Sequence, residues 1–467
     1  MKSIKMRGVV AAVTGALMFG FGLNAMADST TDIVNTLIAK GVLTEEEGAL
    51  ITKGHDAEVK KNDAAIKKAG KLSVSDAIDN ATVYGDIRVR HETRWATNAQ
   101  SASTADGVDL TRNRERYKIT LGVKTESDKG NWYSDLAFAM GQEGRSDNAT
   151  FGSAKTTAGG AATNGVQNKE TLFVKRAMVG YKATDWLTLE AGRIANPLYT
   201  TAMVWDADLT HDGVAAKMNF KSGDTKYFLT GEVFQYLGDS KIYQNGTTTD
   251  AFTNEVVVGQ AGFETPITEQ LKGKAALTFY KYGNVGGDFK PGVGAGTSLG
   301  TNVIGTNNLE ILEIPAELSY KYSDSIGVKL YGEYVVNLDA DKRAQLAGDT
   351  TSAAKDDTAW MLGLEVKSQA GKKAAAGDWS AKAWYQETGL YSLDPNAVDS
   401  DFFDSKINVK GAVFKAEYMV KDNVVANFAY GHGGRKNDAM ATAGVTGDTG
   451  YNMNSFDLLQ LDLTYKF

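Results

Sequence analysis

The chain has 467 residues, no cysteine and a formal net charge of −7, from 50 basic and 57 acidic residues. The absence of cysteine excludes disulfides and thiolate metal sites. The acidic balance makes nucleic acid an unfavourable partner. Glycine is abundant at 50 residues and proline scarce at 5, with 7 Trp, 20 Tyr and 18 Phe.

The N-terminus has the pattern of a secretory signal peptide. Three basic residues precede an apolar run over residues 9–23, and Ala25 and Ala27 supply the small side chains that a signal peptidase reads. We predict a signal peptide at residues 1–27, cleaved before Asp28. A retained anchor is the alternative, which the shortness of the run disfavours. Cleavage removes three positive charges and moves the net charge from −7 to about −10.

Residues 28–80 differ in pattern from the rest of the chain. Thr44 followed by Glu47 forms a capping box, in which the hydroxyl and the carboxylate satisfy free backbone N–H groups at a helix start. Residues 55–68 follow as a charged helical pattern whose lysines form a solvated face. We therefore predict a short periplasmic α-helical segment. The sequence leaves open whether it packs against the domain that follows, enters it or self-associates.

From residue 81 to residue 467 the chain repeats segments of alternating hydrophobicity, each followed by a polar connection. Short connections, such as 184–185 and 323–324, alternate with long ones rich in Gly, Asn, Asp and Thr. We predict sixteen strands, near residues 83–94, 112–125, 130–141, 170–182, 186–195, 213–221, 225–236, 255–264, 271–283, 309–322, 326–338, 358–368, 379–388, 407–419, 423–432 and 455–467.

The last strand shows the alternation most clearly. Leu461, Leu463, Tyr465 and Phe467 fall on one face, and polar residues fall on the other. A soluble β-sandwich could contain such a strand. The signal peptide and the sixteenfold repetition favour instead an all-β fold, a 16-stranded antiparallel transmembrane β-barrel that follows the helical segment.

Three tryptophans lie near the predicted short turns of this barrel. Trp132, Trp186 and Trp379 lie beside short turns, where either a periplasmic aromatic girdle or ordinary strand-end packing would place them. About sixteen strands leave an aqueous interior, because side chains no longer fill it.

Basic residues recur on one face of the first two strands, and such a face cannot contact hydrocarbon. Two interpretations remain open: an electropositive wall that attracts anionic or zwitterionic solutes, or a hydrated wall that is paired with carboxylates such as Glu92 and has no selectivity. The residues of this face are Arg88, Arg90, Arg94, Arg112, Arg114, Arg116 and Lys118.

The connection between the fifth and sixth strands, at about residues 195–212, is unusually apolar because it contains Pro197, Leu198 and Trp205. Folding it into the barrel would bury these side chains and aim an acidic set at the basic wall. A structured rim or a subunit contact is the alternative. The acidic set is Asp206, Asp208 and Asp212.

Three stretches make the chain resemble the putative porins of Gram-negative bacteria, whose architecture is similar to that of general 16-stranded trimeric porins. They are residues 37–47, residues 174–209 and the terminal residues 465–467. The resemblance implies passive diffusion of small hydrophilic solutes, a third loop that narrows the pore, and a homotrimer. It also implies contact with outer-membrane lipid and insertion by the barrel assembly machinery through the strand that ends at Phe467.

By the same analogy, Arg176 and Arg193 would face the constriction from the wall, although strict alternation from Leu189 points Arg193 outward. The predicted constriction thus has a basic side of Arg88, Arg90, Arg112, Arg114, Arg116, Arg176 and Arg193, and an acidic side of Asp206, Asp208 and Asp212.

No catalytic motif accompanies this pattern. The four histidines lack metal-site spacing, and neither a nucleophile elbow nor a phosphate loop occurs. We expect no enzyme activity, no cofactor and no metal. The predicted function is a water-filled porin of the bacterial outer membrane. The alternative is a closed or plugged barrel whose external loops bind a partner.

Overall fold

The computed structural model divides into two units, residues 1–74 and residues 75–467, and nearly all the described residues belong to the second. The described residues are 44, 53, 77–98, 108–141, 146–152, 155–156, 162–163, 170–236, 241–244, 247–250, 255–285, 288–289, 304–349, 356–368, 374–437 and 453–467. The predicted signal peptide and nearly all of the predicted helical segment lie outside this set.

Sixteen long strands form one closed antiparallel sheet, as the sequence predicts. They are β1 (Asn80–Asn98), β2 (Val108–Ser127), β3 (Trp132–Met140), β4 (Leu172–Lys182), β5 (Leu187–Ala195), β6 (Thr210–Ser222), β7 (Thr225–Gln235), β8 (Glu255–Pro266), β9 (Leu271–Tyr282), β10 (Glu310–Lys321), β11 (Ile326–Asn337), β12 (Thr358–Ser368), β13 (Trp379–Thr388), β14 (Val409–Lys421), β15 (Val424–Arg435) and β16 (Met453–Lys466). Each strand pairs with its neighbour in sequence.

The pairing of β16 with β1 closes the barrel. The backbone of Phe467 completes this seam, since it exchanges two hydrogen bonds of 3.0 Å with Gly85. Closure leaves no long strand with an unpaired edge. The strand count and the antiparallel order predicted from the alternation are therefore confirmed.

The two faces of the sheet differ in chemistry. On β12, Leu362 and Leu364 point outward and are 54% and 49% exposed. Met361 lies on the opposite, inner face of the same strand and is 6% exposed. Large apolar side chains dominate the outer face in this way around the barrel. Period-two alternation thus places an apolar band outside and most charged side chains inside.

The connections alternate between the two ends of the barrel. Six of the seven at one end span two to four residues, while those at the other end span nine or more. Trp132, Trp186 and Trp379 are exposed and lie at the short-turn end. A seven-residue helix, α1 (Ala340–Leu346), lies in a long connection. In the part of the chain that the structure describes, no helix is long and apolar enough to cross a membrane.

Four glycines on the inner face are each covered by an aromatic ring from the neighbouring strand. In each case the ring belongs to the residue directly opposite in the neighbouring strand, and a Cβ on the glycine would lie 2.1–2.4 Å from a ring atom. Such pairs fix the register, because no other residue leaves room for the ring. The pairs are Tyr84 with Gly122, Tyr133 with Gly180, Phe228 with Gly262, and Tyr331 with Gly363.

We predict that Gly180→Ala lowers the free energy of unfolding by about 1–3 kcal/mol, because the new methyl group displaces the Tyr133 ring. The displacement also disturbs the 2.6 Å bond from the Tyr133 hydroxyl to Glu190. Denaturant unfolding of the detergent-folded protein measures the change. Gly259→Ala is the control, since a Cβ there meets nothing within 4 Å. It should stay within about 1 kcal/mol of the parent, and equal losses in both variants would contradict the prediction.

Candidate functional site

The basic residues of β1 and β2 form one ladder on the inner face. The strand register places Arg88 opposite Lys118, Arg90 opposite Arg116, Glu92 opposite Arg114, and Arg94 opposite Arg112. Cross-strand neighbours on one face lie about 5 Å apart, so like charges here repel unless carboxylates intervene. The ladder therefore requires acidic partners.

Glu92 supplies the first acidic partner from within the ladder. Its carboxylate is 1% exposed and accepts a 2.5 Å hydrogen bond from Arg114 Nε. Arg116 Nη1 lies 3.4 Å from the same carboxylate and Arg112 Nη2 lies 3.9 Å away. Gln460 of β16 also donates to Glu92. One buried carboxylate thus contacts three guanidinium groups.

Arg90 is held by two further carboxylates. Its guanidinium donates to both oxygens of Asp462 at 2.7 and 2.9 Å, and to both oxygens of Asp401 at 3.0 and 2.9 Å. The Arg90 side chain is 4% exposed. Burial raises the pKa of Asp401, but the charge of Arg90 outweighs burial and holds this pKa well below its usual range. The buried part of the basic wall is therefore paired with carboxylates.

The 196–209 connection folds against the inner face. The Tyr199 N–H donates to Gln260 of β8 at 2.9 Å, and the Gln260 amide donates back to the Tyr199 carbonyl at 2.9 Å. The Thr201 N–H donates to Glu333 of β11 at 3.2 Å. Trp205 is 5% exposed and packs 5.7 Å from the Phe234 ring. The apolar character of this connection is thus explained by burial inside the barrel.

A second connection, 389–408, folds inward beside it. Three backbone N–H groups join the two: Asp206 donates to Ala397 at 2.7 Å, Ser400 donates to the Asp206 side chain at 2.8 Å, and Asp399 donates to Ala202 at 3.1 Å. The largest apolar side chains of this connection are 0–3% exposed. They include Leu390, Tyr391, Leu393, Phe402, Phe403 and Ile407.

Asp208 is the predicted acidic residue that meets the basic wall. It lies 3.6 Å from Lys118 and 3.8 Å from Lys175, and Asp147 contacts the same two ammonium groups. Burial raises the pKa of Asp208, but the two lysines outweigh burial and lower it. Burial and the neighbouring charge of Asp208 raise the pKa of Asp147. Asp206, in contrast, holds the two inward connections together.

Three predicted residues lie apart from the ladder. Arg176 donates to Asp135 at 2.8 Å and to the Tyr84 hydroxyl at 2.5 Å. Arg193 and Asp212 pair with each other at 2.8 Å and are 42% and 51% exposed. Arg193 shares its face of β5 with the exposed Leu189. The structure therefore does not bring Arg193 and Asp212 to the basic ladder.

Sequence reasoning missed Asp401, Asp462 and Asp147 as partners of the wall. One signal was present: residues 389–408 contain the large apolar side chains of Leu390, Leu393, Phe402 and Phe403, although the connection as a whole is less apolar than residues 196–209. In the described ranges, no three His, Asp or Glu side chains are placed to hold a metal ion.

We predict that Arg90→Gln lowers the free energy of unfolding by about 3 kcal/mol, because it leaves two poorly hydrated carboxylates without their main partner. The matched control is Arg193→Gln, whose exposed ion pair contributes less than about 1 kcal/mol. Denaturant unfolding at neutral pH compares the two variants. A smaller loss for Arg90→Gln than for Arg193→Gln would contradict this description of the ladder.

The sequence and the fold of the chain are similar to those of known porins. A search of curated proteins finds no match. Among solved structures, OprB of Pseudomonas putida at high pH has 11% identity and a TM-score of 0.47, covering 83% of this chain and 94% of that chain. OmpF of Salmonella typhi, in complex with daunomycin, has 13% identity and a TM-score of 0.45, covering 84% and 99%. The sequence profile of the putative porin family matches residues 73–299 and 301–467, so the chain belongs to that family.

Proposed function

We propose that the protein forms a water-filled channel in the bacterial outer membrane, through which small hydrophilic solutes and ions diffuse passively. The closed sixteen-stranded barrel, apolar outside and charged inside, is the observation that carries this proposal. Lipid can contact the outer face because every strand is paired on both sides. A barrel of this size leaves an aqueous interior. Transport needs no covalent step and therefore no catalytic residue.

The placement in the membrane follows the usual polarity of such barrels. The short-turn end, with Trp132, Trp186 and Trp379, faces the periplasm, and the long connections face outward. The strand that ends at Phe467 serves as the signal for the barrel assembly machinery. Three copies assemble as a homotrimer in this proposal, as the resemblance to general porins implies.

Two connections narrow the channel in this proposal. The 196–209 connection reaches Gln260 and Glu333 on one side and brings Asp208 to Lys118 on another. The 389–408 connection brings Asp401 to Arg90. A solute that passes beside these connections meets such charge pairs at short range, and each pair presents a local dipole to the solute.

We predict that the purified protein gives open conductance steps in a planar bilayer. The double variant Arg112→Gln/Arg114→Gln should lower the anion-to-cation permeability ratio by about fivefold. A unit charge about 4 Å from a passing ion contributes about 1 kcal/mol in bulk water, and Arg112 is 48% exposed to the interior. Reversal potentials in a salt gradient measure the ratio.

Arg193→Gln is the control for this experiment, because its side chain lies on the face with Leu189. An unchanged anion-to-cation permeability ratio in the double variant would show that the ladder does not line the permeation path. A silent bilayer with correctly folded protein would contradict the channel itself. That outcome would favour the plugged barrel, for which the two inward connections provide a structural basis.

We predict that deletion of residues 198–206 raises the conductance, because it removes the segment that contacts Gln260 and Glu333 inside the barrel. Deletion of residues 292–300, an equally long piece of another connection, is the control and should change the conductance less. Resistance of the folded barrel to unfolding in detergent confirms that each variant has folded. Unaltered conductance in a folded 198–206 deletion would show that this connection does not narrow the channel.

A further inference from the structure

A cavity of about 620 Å³ lies inside the barrel, beneath the start of the 196–209 connection. Residues of that connection and inward side chains of β6, β7, β8 and β9 line it. They include Leu198, Tyr199, Lys217, Asn219, Phe228 and Lys274. The cavity therefore combines an apolar and aromatic surface with ammonium groups.

Lys274 is the central cation of this cavity. Its ammonium lies 3.7 Å from the centre of the Tyr199 ring and 5.5 Å from that of Phe228. The two rings meet edge to face, with centroids 6.4 Å apart. Cation–π attraction of this kind positions an ammonium without neutralising its charge.

The carboxylates nearest to Lys274 in the strand register have other partners. Glu264 and Glu317 flank it on the two neighbouring strands. Glu264 pairs with Lys226 at 3.2 Å, and Glu317 lies 3.8 Å from Lys329. Within the described residues, no carboxylate oxygen approaches the Lys274 ammonium within 4.0 Å. Its charge therefore remains available to an anion from solution.

A second cation on the cavity wall is neutralised. Lys217 pairs with Glu190 at 2.5 Å, and Glu190 also accepts from the Tyr133 hydroxyl. Lys226 on the wall is also paired, with Glu264, and Lys221 lies exposed at the short-turn end of β6. Lys274 is therefore the ammonium that is held against the aromatic rings, with the apolar surface of Leu198 and Phe228 beside it.

We propose that this cavity binds small monocarboxylates with an apolar body, of which benzoate is the simplest aromatic example, as they pass through the channel. The carboxylate accepts hydrogen bonds from the Lys274 ammonium, and the apolar body packs against Leu198 and Phe228. A cation is repelled, and an inorganic anion gains nothing from the apolar wall. The inference rests on the proposed channel, which gives the solute access to the cavity.

Calorimetric titration of the detergent-folded protein with sodium benzoate tests this site. Lys274→Met keeps the length of the side chain and removes its charge, so it should weaken benzoate binding about tenfold or more. Lys124→Met is the matched control. Lys124 also lies near an aromatic ring, 5.1 Å from the centre of the Tyr84 ring, but it is not part of the cavity wall. This control should bind benzoate like the parent.

Three further probes sharpen the result. Acetate, which lacks the apolar body, and benzylamine, which lacks the negative charge, should both bind more weakly than benzoate. Tyr199→Leu removes the ring that positions Lys274 and should weaken benzoate binding. Equal affinity of Lys274→Met and the parent, or acetate binding as tightly as benzoate, would overturn the proposal.

Conductance in potassium chloride tests the proposed channel independently of the proposed benzoate site. A conducting protein that binds no benzoate would overturn the site and leave the channel intact. Benzoate binding with the predicted Lys274 dependence but a silent bilayer would support the site and contradict the channel.

Discussion

The structure depends on the closure of its sheet. Because β16 pairs with β1, each long strand has a hydrogen-bonded neighbour on both sides. A closed sheet has only two surfaces, and alternation assigns each side chain to one of them. The apolar outer band and the charged interior therefore follow from one backbone constraint. The aromatic rings that cover inner glycines, such as Tyr133 over Gly180, hold the register on which this assignment depends.

Charge pairing inside the barrel is the second consequence of the closed sheet. The ladder on β1 and β2 brings several arginines close together. Because most of these side chains are largely shielded from water, the repulsion between their charges would be large without carboxylate partners. Glu92 lies within the ladder, Asp462 comes from the closing strand and Asp401 from an inward connection. The ladder thus ties together the seam of the barrel and the segments that fill part of it. The same contacts that stabilise the fold bring charged groups to the path proposed for solutes.

Much of the fold could be predicted from the sequence, because strand alternation is a local signal. The predicted strand at 358–368 matches β12 at Thr358–Ser368, and the apolar 196–209 connection is buried as expected. The partners of the ladder could not be predicted, since Arg90 and Asp462 are separated by 372 positions. For Arg193, the local alternation from Leu189 was more informative than the family analogy, since Arg193 pairs with the exposed Asp212.

The assignment of faces is tested most directly by thiol labelling, because the chain has no cysteine of its own. Single cysteines at Leu362, Leu364, Glu365 and Lys367 of β12 can be reacted with a water-soluble maleimide after reconstitution into lipid vesicles. The barrel described here predicts rapid labelling at positions 365 and 367 and protection by lipid at 362 and 364. Equal labelling at all four positions would contradict a sheet that separates lipid from water.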